Sequence, residues 1–264
     1  KEIAQIEQGC PFGIYVHGDS FFVCDAKENV VKVYDLANLG LKGEIRSPFF
    51  NDIHSIVKEG EDLVVTSTGL DAVLKINPET YVVNPVFAFH KVEGIRELAI
   101  DKEIFNKRTD FSLKHIPTED QAAHLNYAAT LPDGRLGISL FHQGEIIAIN
   151  KGKGYTYETM IRGLTRSHSF FTYNFQFFVA DSGVSAVKVY NSNSFELQKT
   201  LQLKGWVQDI KKLTMKIGGK SIPVMSVADA DNAELFFYNL DDMSLIKTIK
   251  LHTRYRISSC EIID

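Results

Sequence analysis

QFFVADSGVSAVKVYN, residues 176–191, holds two strand-like runs joined by a tight turn. The first run leads into Asp181, a Ser-Gly pair makes the turn, and the second run, AVKVYN, closes on Tyr190 and Asn191. Aromatic and β-branched residues bounded by Asp, Ser and Gly are the composition of paired strands. The second run recurs as VVKVYD at 30–35, AVLKIN at 72–77, EIIAIN at 145–150 and ELFFYN at 234–239. A partner run precedes each copy: FFVCDA from Phe21, DLVVTST from Asp62, RLGISLF from Arg135 and PVMSVAD from Pro223. In three of the five units an Asp (Asp25, Asp181, Asp229) stands nine residues ahead of the final Tyr.

The markers end at positions 34, 76, 149, 190 and 238, so three steps measure 41–48 residues and one measures 73. Outside the marker, each unit adds an inner strand such as IHSIVKE, LNYAATL or HSFFTYN and an outer one such as ELQKTLQL or SLIKTIKL. Four short strands repeated at this period predict an all-β fold, a β-propeller. A sandwich or barrel would explain the alternation but not the recurring Asp/Asn-terminated marker. Five complete four-stranded blades are expected in one domain over 1–264. The long step carries a cap-like insertion at 93–123, between blades two and three, of about one helix and a loop. Helix content is expected to be low and confined there. Residues 1–8 read as an extra outer strand and 256–264 as an extra inner one. These leftovers either close a five-bladed ring or form an incomplete sixth blade, since an open edge strand invites pairing.

PFGIYVHGDSFFVCDAKENVVKVYDL (11–36) and FQFFVADSGVSAVKVYN (175–191) resemble the NHL-repeat and SMP-30/gluconolactonase propellers, in which a G-I strand start and an A-D-S-G turn recur. The resemblance lies at the level of fold. An SMP-30-type enzyme implies a divalent metal held by Glu, Asn and Asp at the axis. Here His stands where some of those would lie, so neither that metal site nor lactonase activity carries over, and the fold alone names no chemistry.

Composition removes several classes. Net charge is −4 with no basic run, so no nucleic-acid surface is indicated. No apolar stretch reaches the roughly 18–20 residues of a membrane-spanning helix, so no membrane association is expected. The phosphate-loop, dinucleotide and G-x-S-x-G motifs are missing, so no nucleotide cofactor and no serine hydrolase of that type are indicated. Cys10, Cys24 and Cys260 are odd in number without C-x-x-C spacing, which favours free thiols and the cytoplasm. The alternative, a Cys10–Cys260 bridge, belongs to an extracellular chain. The sequence starts at Lys1, as a processed or cropped product would, so a secreted or periplasmic route stays open.

The meander also sorts the histidines. His54, His124 and His168 stand at inner-strand starts, nearest the axis, and His142 sits in a second-to-third-strand loop. His90, His115 and His252 fall in connections to inner strands, and His17 alone lies on the other face. Aligned on the following turn, His54, Asn126 and His168 are equivalent. Imidazoles brought together at a channel mouth suit one divalent metal (Zn, Fe, Ni or Cu), with His54, His124 and His168 as ligands. A hydrogen-bonded His pocket without metal is the competing reading. His124, His142 and Arg166 are the catalytic candidates. Asn126, Tyr127, Arg166, Trp206, Asp209 and Arg256 are candidates for substrate binding, with Tyr255 in the same aromatic wall. Arg166 would take an anionic group in bidentate fashion. Asp209 reads as a general base or equally as a turn cap, and Asp25, Asp181 and Asp229 read as structural acceptors of backbone N–H.

Two functions follow. One is a small-molecule enzyme or binding protein, of lyase, hydrolase or isomerase type, with the insertion closing over an organic and anionic substrate. The other is a non-catalytic scaffold that meets a protein partner through its rim and insertion.

Overall fold

Each marker strand lies between two antiparallel neighbours, so the repeat is a meander. The computed structural model describes residues 9–91, 98–106, 108–150, 155–252 and 256–262. By contacts the chain forms two units, Lys1–Leu125 and Asn126–Asp264. The first holds two sheets. One runs β1 (Pro11–His17), β2 (Ser20–Asp25), β3 (Val30–Asp35) and β4 (Leu41–Ile45) in chain order. The other runs β5 (Ile53–Glu59), β6 (Asp62–Ser67), β7 (Ala72–Ile76), β8 (Val83–Lys91) and β9 (Leu98–Asp101).

The second unit holds three sheets. They are β10 (Leu125–Thr130) to β11 (Leu136–Leu140), β12 (Glu145–Asn150) and β13 (Thr156–Ile161); then β14 (Ser167–Tyr173), β15 (Gln176–Asp181), β16 (Ala186–Asn191) and β17 (Leu197–Gln202). The last comprises β18 (Val207–Ile217), β19 (Lys220–Asp229), β20 (Glu234–Asn239) and β21 (Leu245–Lys250). Five blades of the propeller type are present, and every marker is the third strand of its sheet.

Burial explains why the marker is apolar. Second and third strands are buried, whereas outer strands such as β17 and β21 are mostly exposed and carry Lys, Gln and Thr. In the first unit Phe22, Val31 and Val33 pack with Ile53, Ile56, Leu63 and Leu74 from the next sheet. In the second unit Phe178, Val187 and Val189 meet Val207, Ile210, Met225 and Val227. Each fully buried side chain of this size contributes about 1.5–3 kcal/mol.

Two local devices repeat at the blade starts. The first is a β-bulge: the register of the inner strand slips by one residue between Pro11 and Ile14, Ile53 and Ile56, Ser167 and Phe170, and Val207 and Asp209. An extra residue there turns its neighbours' side chains out of the strict alternation. Phe12, His54 and His168 occupy the equivalent place in three of these bulges. The second device is a buried carboxylate that collects backbone N–H groups from the segment leading into an inner strand. Asp25 accepts from Gly9 (3.0 Å), Cys10 (3.1 Å), Lys27 (3.1 Å) and Glu28 (3.2 Å) and pairs with Lys32 Nζ at 3.0 Å. Asp181 accepts from Thr165 at 2.6 Å, and Asp229 from Gly205 at 3.1 Å and Asn232 at 3.0 Å. The structural role expected of the three repeated aspartates is what these bonds perform.

Gly205 must come close to deliver its N–H, and a Cβ there would collide with Asp229 Oδ1 and Asn232 Nδ2. Gly205→Ala is therefore expected to destabilise the protein by about 1–3 kcal/mol, as overpacking does. A urea midpoint equal to that of the parent would refute this account of the corner.

Several expectations need correction. The insertion contains no α-helix among its described residues. It continues the second sheet with β9 and then makes three 3-10 turns, at Glu103–Asn106, Phe111–Leu113 and Thr118–Asp120. The free edge of β8 offers Leu98–Asp101 a strand partner, and Pro117 interrupts any longer helix. Two further 3-10 turns, Thr68–Leu70 and Ser182–Val184, lie outside the insertion. Residues 256–262 form no strand. Their side chains take the contacts instead: Ser259 Oγ donates to Asp209 at 2.5 Å, and Lys211 pairs with Glu261 at 2.6 Å. No disulfide joins Cys10, Cys24 and Cys260, so the alternative bridge is not formed. The strand expected at 1–8, the start of the insertion at 93–97, Tyr255 and residues 263–264 lie outside the described residues. Among the described residues no helix is long and apolar enough to cross a membrane.

Candidate functional site

In the first unit a cleft of about 1090 Å³ opens beside the start of β5. Phe12, Asn29, Asn51, Asp52, His54 and His124 line it, with residues 112–119 of the insertion as a further wall. The bulge at 53–56 and a left-handed corner at Asp52 (φ 50°) turn Asp52 and His54 toward one another. Asp52 Oδ1 lies 3.0 Å from His54 Nε2, and the His54 ring stacks on Phe12 with centroids 4.1 Å apart. The ring of His124 meets that of His54 edge-on at 5.2 Å.

A second left-handed corner, at His124 (φ 49°), brings its Nδ1 to 2.5 Å from Gln121 Oε1. Burial alone would raise the Asp52 carboxyl. The hydrogen bond from His54, the nearby charges of His54 and His124, and a hydrogen bond from Gln121 outweigh it and hold the carboxyl below the usual range. His54 with Asp52 and His124 with Gln121 thus form two hydrogen-bonded pairs, joined where the two rings meet edge-on. With Asp52 and Gln121 as acceptors, His54 donates through Nε2 and His124 through Nδ1.

The wall is bolted down. Asn51 Nδ2 donates to the carbonyls of Phe111 (2.8 Å) and Lys114 (2.7 Å), and Asn29 Nδ2 donates to Ser112 O at 3.0 Å. Phe105, Phe111 and Ile116 pack on Leu70, Ala72 and Ala88 beneath. Asp71, itself in a left-handed corner, accepts from Ala122, from Ala123 at 3.1 Å and from Leu125 at 3.2 Å. Like Asp25 it gathers backbone N–H groups, but from a different place in its blade: Ser67 stands where Asp25 does, and Asp71 occupies the left-handed corner before the third strand, as Asn29 and Ser185 do.

The second unit holds the other candidates. The His168 ring is buried, 5.4 Å from Trp206 and 5.6 Å from Phe141. Its Nδ1 lies 2.7 Å from Ser182 Oγ and 3.1 Å from Arg166 O. Arg166 is exposed in a left-handed corner (φ 61°), and His142 is exposed in its loop. Asn126 is buried and donates to Ser167 O at 3.2 Å. Burial raises the Asp209 carboxyl, against the opposing effects of Lys211, Ser169 and Ser259. Tyr127 is pushed up by burial and by the charges of Asp209 and Glu261. Arg256 is exposed and reaches Asp231 at 3.5 Å.

A metal finds no ready donor set in the cleft. Nε2 of His54 is engaged by Asp52 and Nδ1 of His124 by Gln121. Among the described residues no three His, Cys, Asp or Glu side chains are gathered closely enough to hold an ion. The amide groups of Asn29 and Asn51 serve the insertion's backbone rather than an oxygen cage of the kind Ca²⁺ requires. Sequence reasoning found His54 and His124 but missed Asp52, Gln121 and Phe12. The usable signal was the shared offset of Asp52, His124 and Arg166, each two residues before His54, Asn126 and His168.

No protein-family model matches the chain, and no curated protein matches it in sequence. Solved structures do resemble it. A nidogen/laminin complex matches with TM-score 0.65 and 12% identity over 95% of this chain and 86% of that one. A catalytically inactive histidine-to-alanine variant of virginiamycin B lyase from Staphylococcus aureus, with quinupristin, gives TM-score 0.56 and 8% identity over 95% and 73%. Regucalcin from Agrobacterium tumefaciens, described as a calcium-binding protein, gives 0.58 and 12% over 92% and 75%. At these identities the likeness shows the fold, a β-propeller, and bears out the resemblance to the NHL-repeat and SMP-30 propellers.

Proposed function

We propose that the protein binds a small organic molecule in the first-unit cleft and that His54, oriented by Asp52, exchanges a proton with it. The observation that carries this reading is the His54–Asp52 pair, held at 3.0 Å beside a cleft large enough for a small ligand. A carboxylate that fixes one imidazole nitrogen as a donor leaves the other as a base, the arrangement used in general acid–base catalysis. Lys27 and Lys114 are exposed at the same cleft, where they would meet an anionic group. Proton transfer at carbon or oxygen serves a lyase, hydrolase or isomerase equally, and propellers of similar structure include a lyase. The metal reading, with His54, His124 and His168 as ligands, is not needed for this chemistry.

The test is a thermal-shift screen of the purified protein against mono- and dicarboxylates and phosphate esters. A ligand at about a hundred times its Kd should stabilise the fold by about 2.7 kcal/mol. For a ligand that is turned over, His54→Ala should slow the reaction about 10²–10⁴-fold, the usual worth of a general acid–base group. Asp52→Asn should slow it too while leaving binding nearly intact. A ligand handled equally well by His54→Ala would end the catalytic reading. A scaffold role is favoured by one feature, the 84% exposure of Leu113 on the insertion. It would prevail if no small molecule shifted the melt and Leu113→Asp released a protein partner.

A further inference from the structure

Four arginines among the described residues (Arg46, Arg135, Arg162 and Arg256) are each paired with a carboxylate. Arg166 is not. Its guanidinium carbon lies 5.9 Å from the ring centroid of Phe141 and 5.9 Å from that of Trp206, and no ion pair engages it among the described residues. The two rings are 6.4 Å apart, inclined at 46°, so the cation rests against an aromatic corner. His168 closes the floor, edge-on to both rings.

That floor is fixed. The Ser182 hydroxyl donates to Val207 O at 2.5 Å, so it accepts from His168 Nδ1, whose second acceptor is Arg166 O. The backbone of Arg166 is therefore tied to the ring beneath it, in a left-handed conformation that costs an L residue energy without such support. A guanidinium resting on aromatic faces keeps its N–H edge for an outside acceptor, and that edge matches two oxygens of a carboxylate or phosphate.

From this geometry we infer that Arg166, Phe141 and Trp206 form a second binding site, for a small organic oxyanion. The carboxylate or phosphate meets the Arg166 edge, and the apolar or aromatic body lies against Trp206 and Phe141. This site belongs wholly to the second unit and does not depend on the cleft reading.

Trp206 is the sole tryptophan of the chain, so its emission reports on this place alone. The experiment titrates the full-length chain with benzoate and with phenyl phosphate, using benzyl alcohol as the uncharged control, and follows tryptophan fluorescence. A saturable change with one or both anions and none with the alcohol is expected, and the relative affinities tell carboxylate from phosphate. Arg166→Gln should weaken binding about tenfold or more, since a charge-assisted bidentate contact is lost. Arg166→Lys, which keeps the charge but not the fork, should recover only part of it. Emission that responds to neither anion, or responds as well in both variants as in the parent, would overturn the site and leave Arg166 a rim residue resting on two rings.

Discussion

Asp71→Ala is expected to release the segment that leads into the third blade and with it the position of His124. The carboxylate is 3% exposed and accepts three backbone N–H groups more than fifty residues away in sequence. Each buried donor left unpaired costs about 1–3 kcal/mol. Alanine at φ 50° adds about 1–2 kcal/mol of backbone strain that Asp or Asn bears more easily. The expected loss is about 3–5 kcal/mol after partial relaxation. Hydrogen exchange at Ala122, Ala123 and Leu125 should rise sharply, and ligand responses at the cleft should vanish. Asp71→Asn keeps an acceptor oxygen and the left-handed corner and should lose far less. Exchange at those three amides as slow in the alanine variant as in the parent would show that the segment is held by something else.

Asp25→Ala carries a comparable penalty at the first blade, and there the pH dependence gives an independent check. Burial works against the Asp25 carboxylate. Lys32 and the N–H groups of Gly9, Glu28 and Cys10 more than offset it and hold its pKa below the ordinary carboxylate value. A group lowered in the folded state contributes fully above its unfolded pKa, about 3.9, and loses that contribution as pH falls through the folded value. The parent should therefore lose stability in this acid range, and Asp25→Asn should flatten that part of the curve while costing a constant amount above about pH 5. Removing the carboxylate also takes from the nearly buried Lys32 its buried partner and leaves it only Glu28 at 2.9 Å, and it unpairs the backbone N–H groups, so the loss at neutral pH should reach about 2–4 kcal/mol in Asp25→Ala. Parallel acid limbs in the parent and Asp25→Asn would count against this assignment.

Much of the architecture was legible because a meander is written locally. Alternation, β-branched residues and Asp or Gly turns are properties of neighbours along the chain, so strands such as Ile53–Glu59 and Ala186–Asn191 can be read without any partner. The insertion failed that test. Its charged and apolar spacing resembles a helix, yet β8 offered Leu98–Asp101 an unpaired edge, and backbone pairing overrode the local pattern.

The sites were legible only in part. Period alone aligned His54 with His168, because both follow from counting back from a turn. It could not show that Asp52 faces His54, or that Gln121 meets His124. Those contacts depend on the bulge and on positive-φ corners that Asp, His and Arg take without the glycine that would have announced them. Arg166 and Trp206, forty residues apart, meet because β14 and β18 are neighbouring inner strands. By itself the sequence determined the five complete four-stranded units, the order of their strands and the residue types at each blade start, and it left open whether the terminal leftovers make a sixth blade. Only the tertiary structure decided which of those side chains touch. Strand periodicity is encoded within a few residues, whereas a hydrogen bond or a ring contact is set by backbone turns and by sheets distant in sequence.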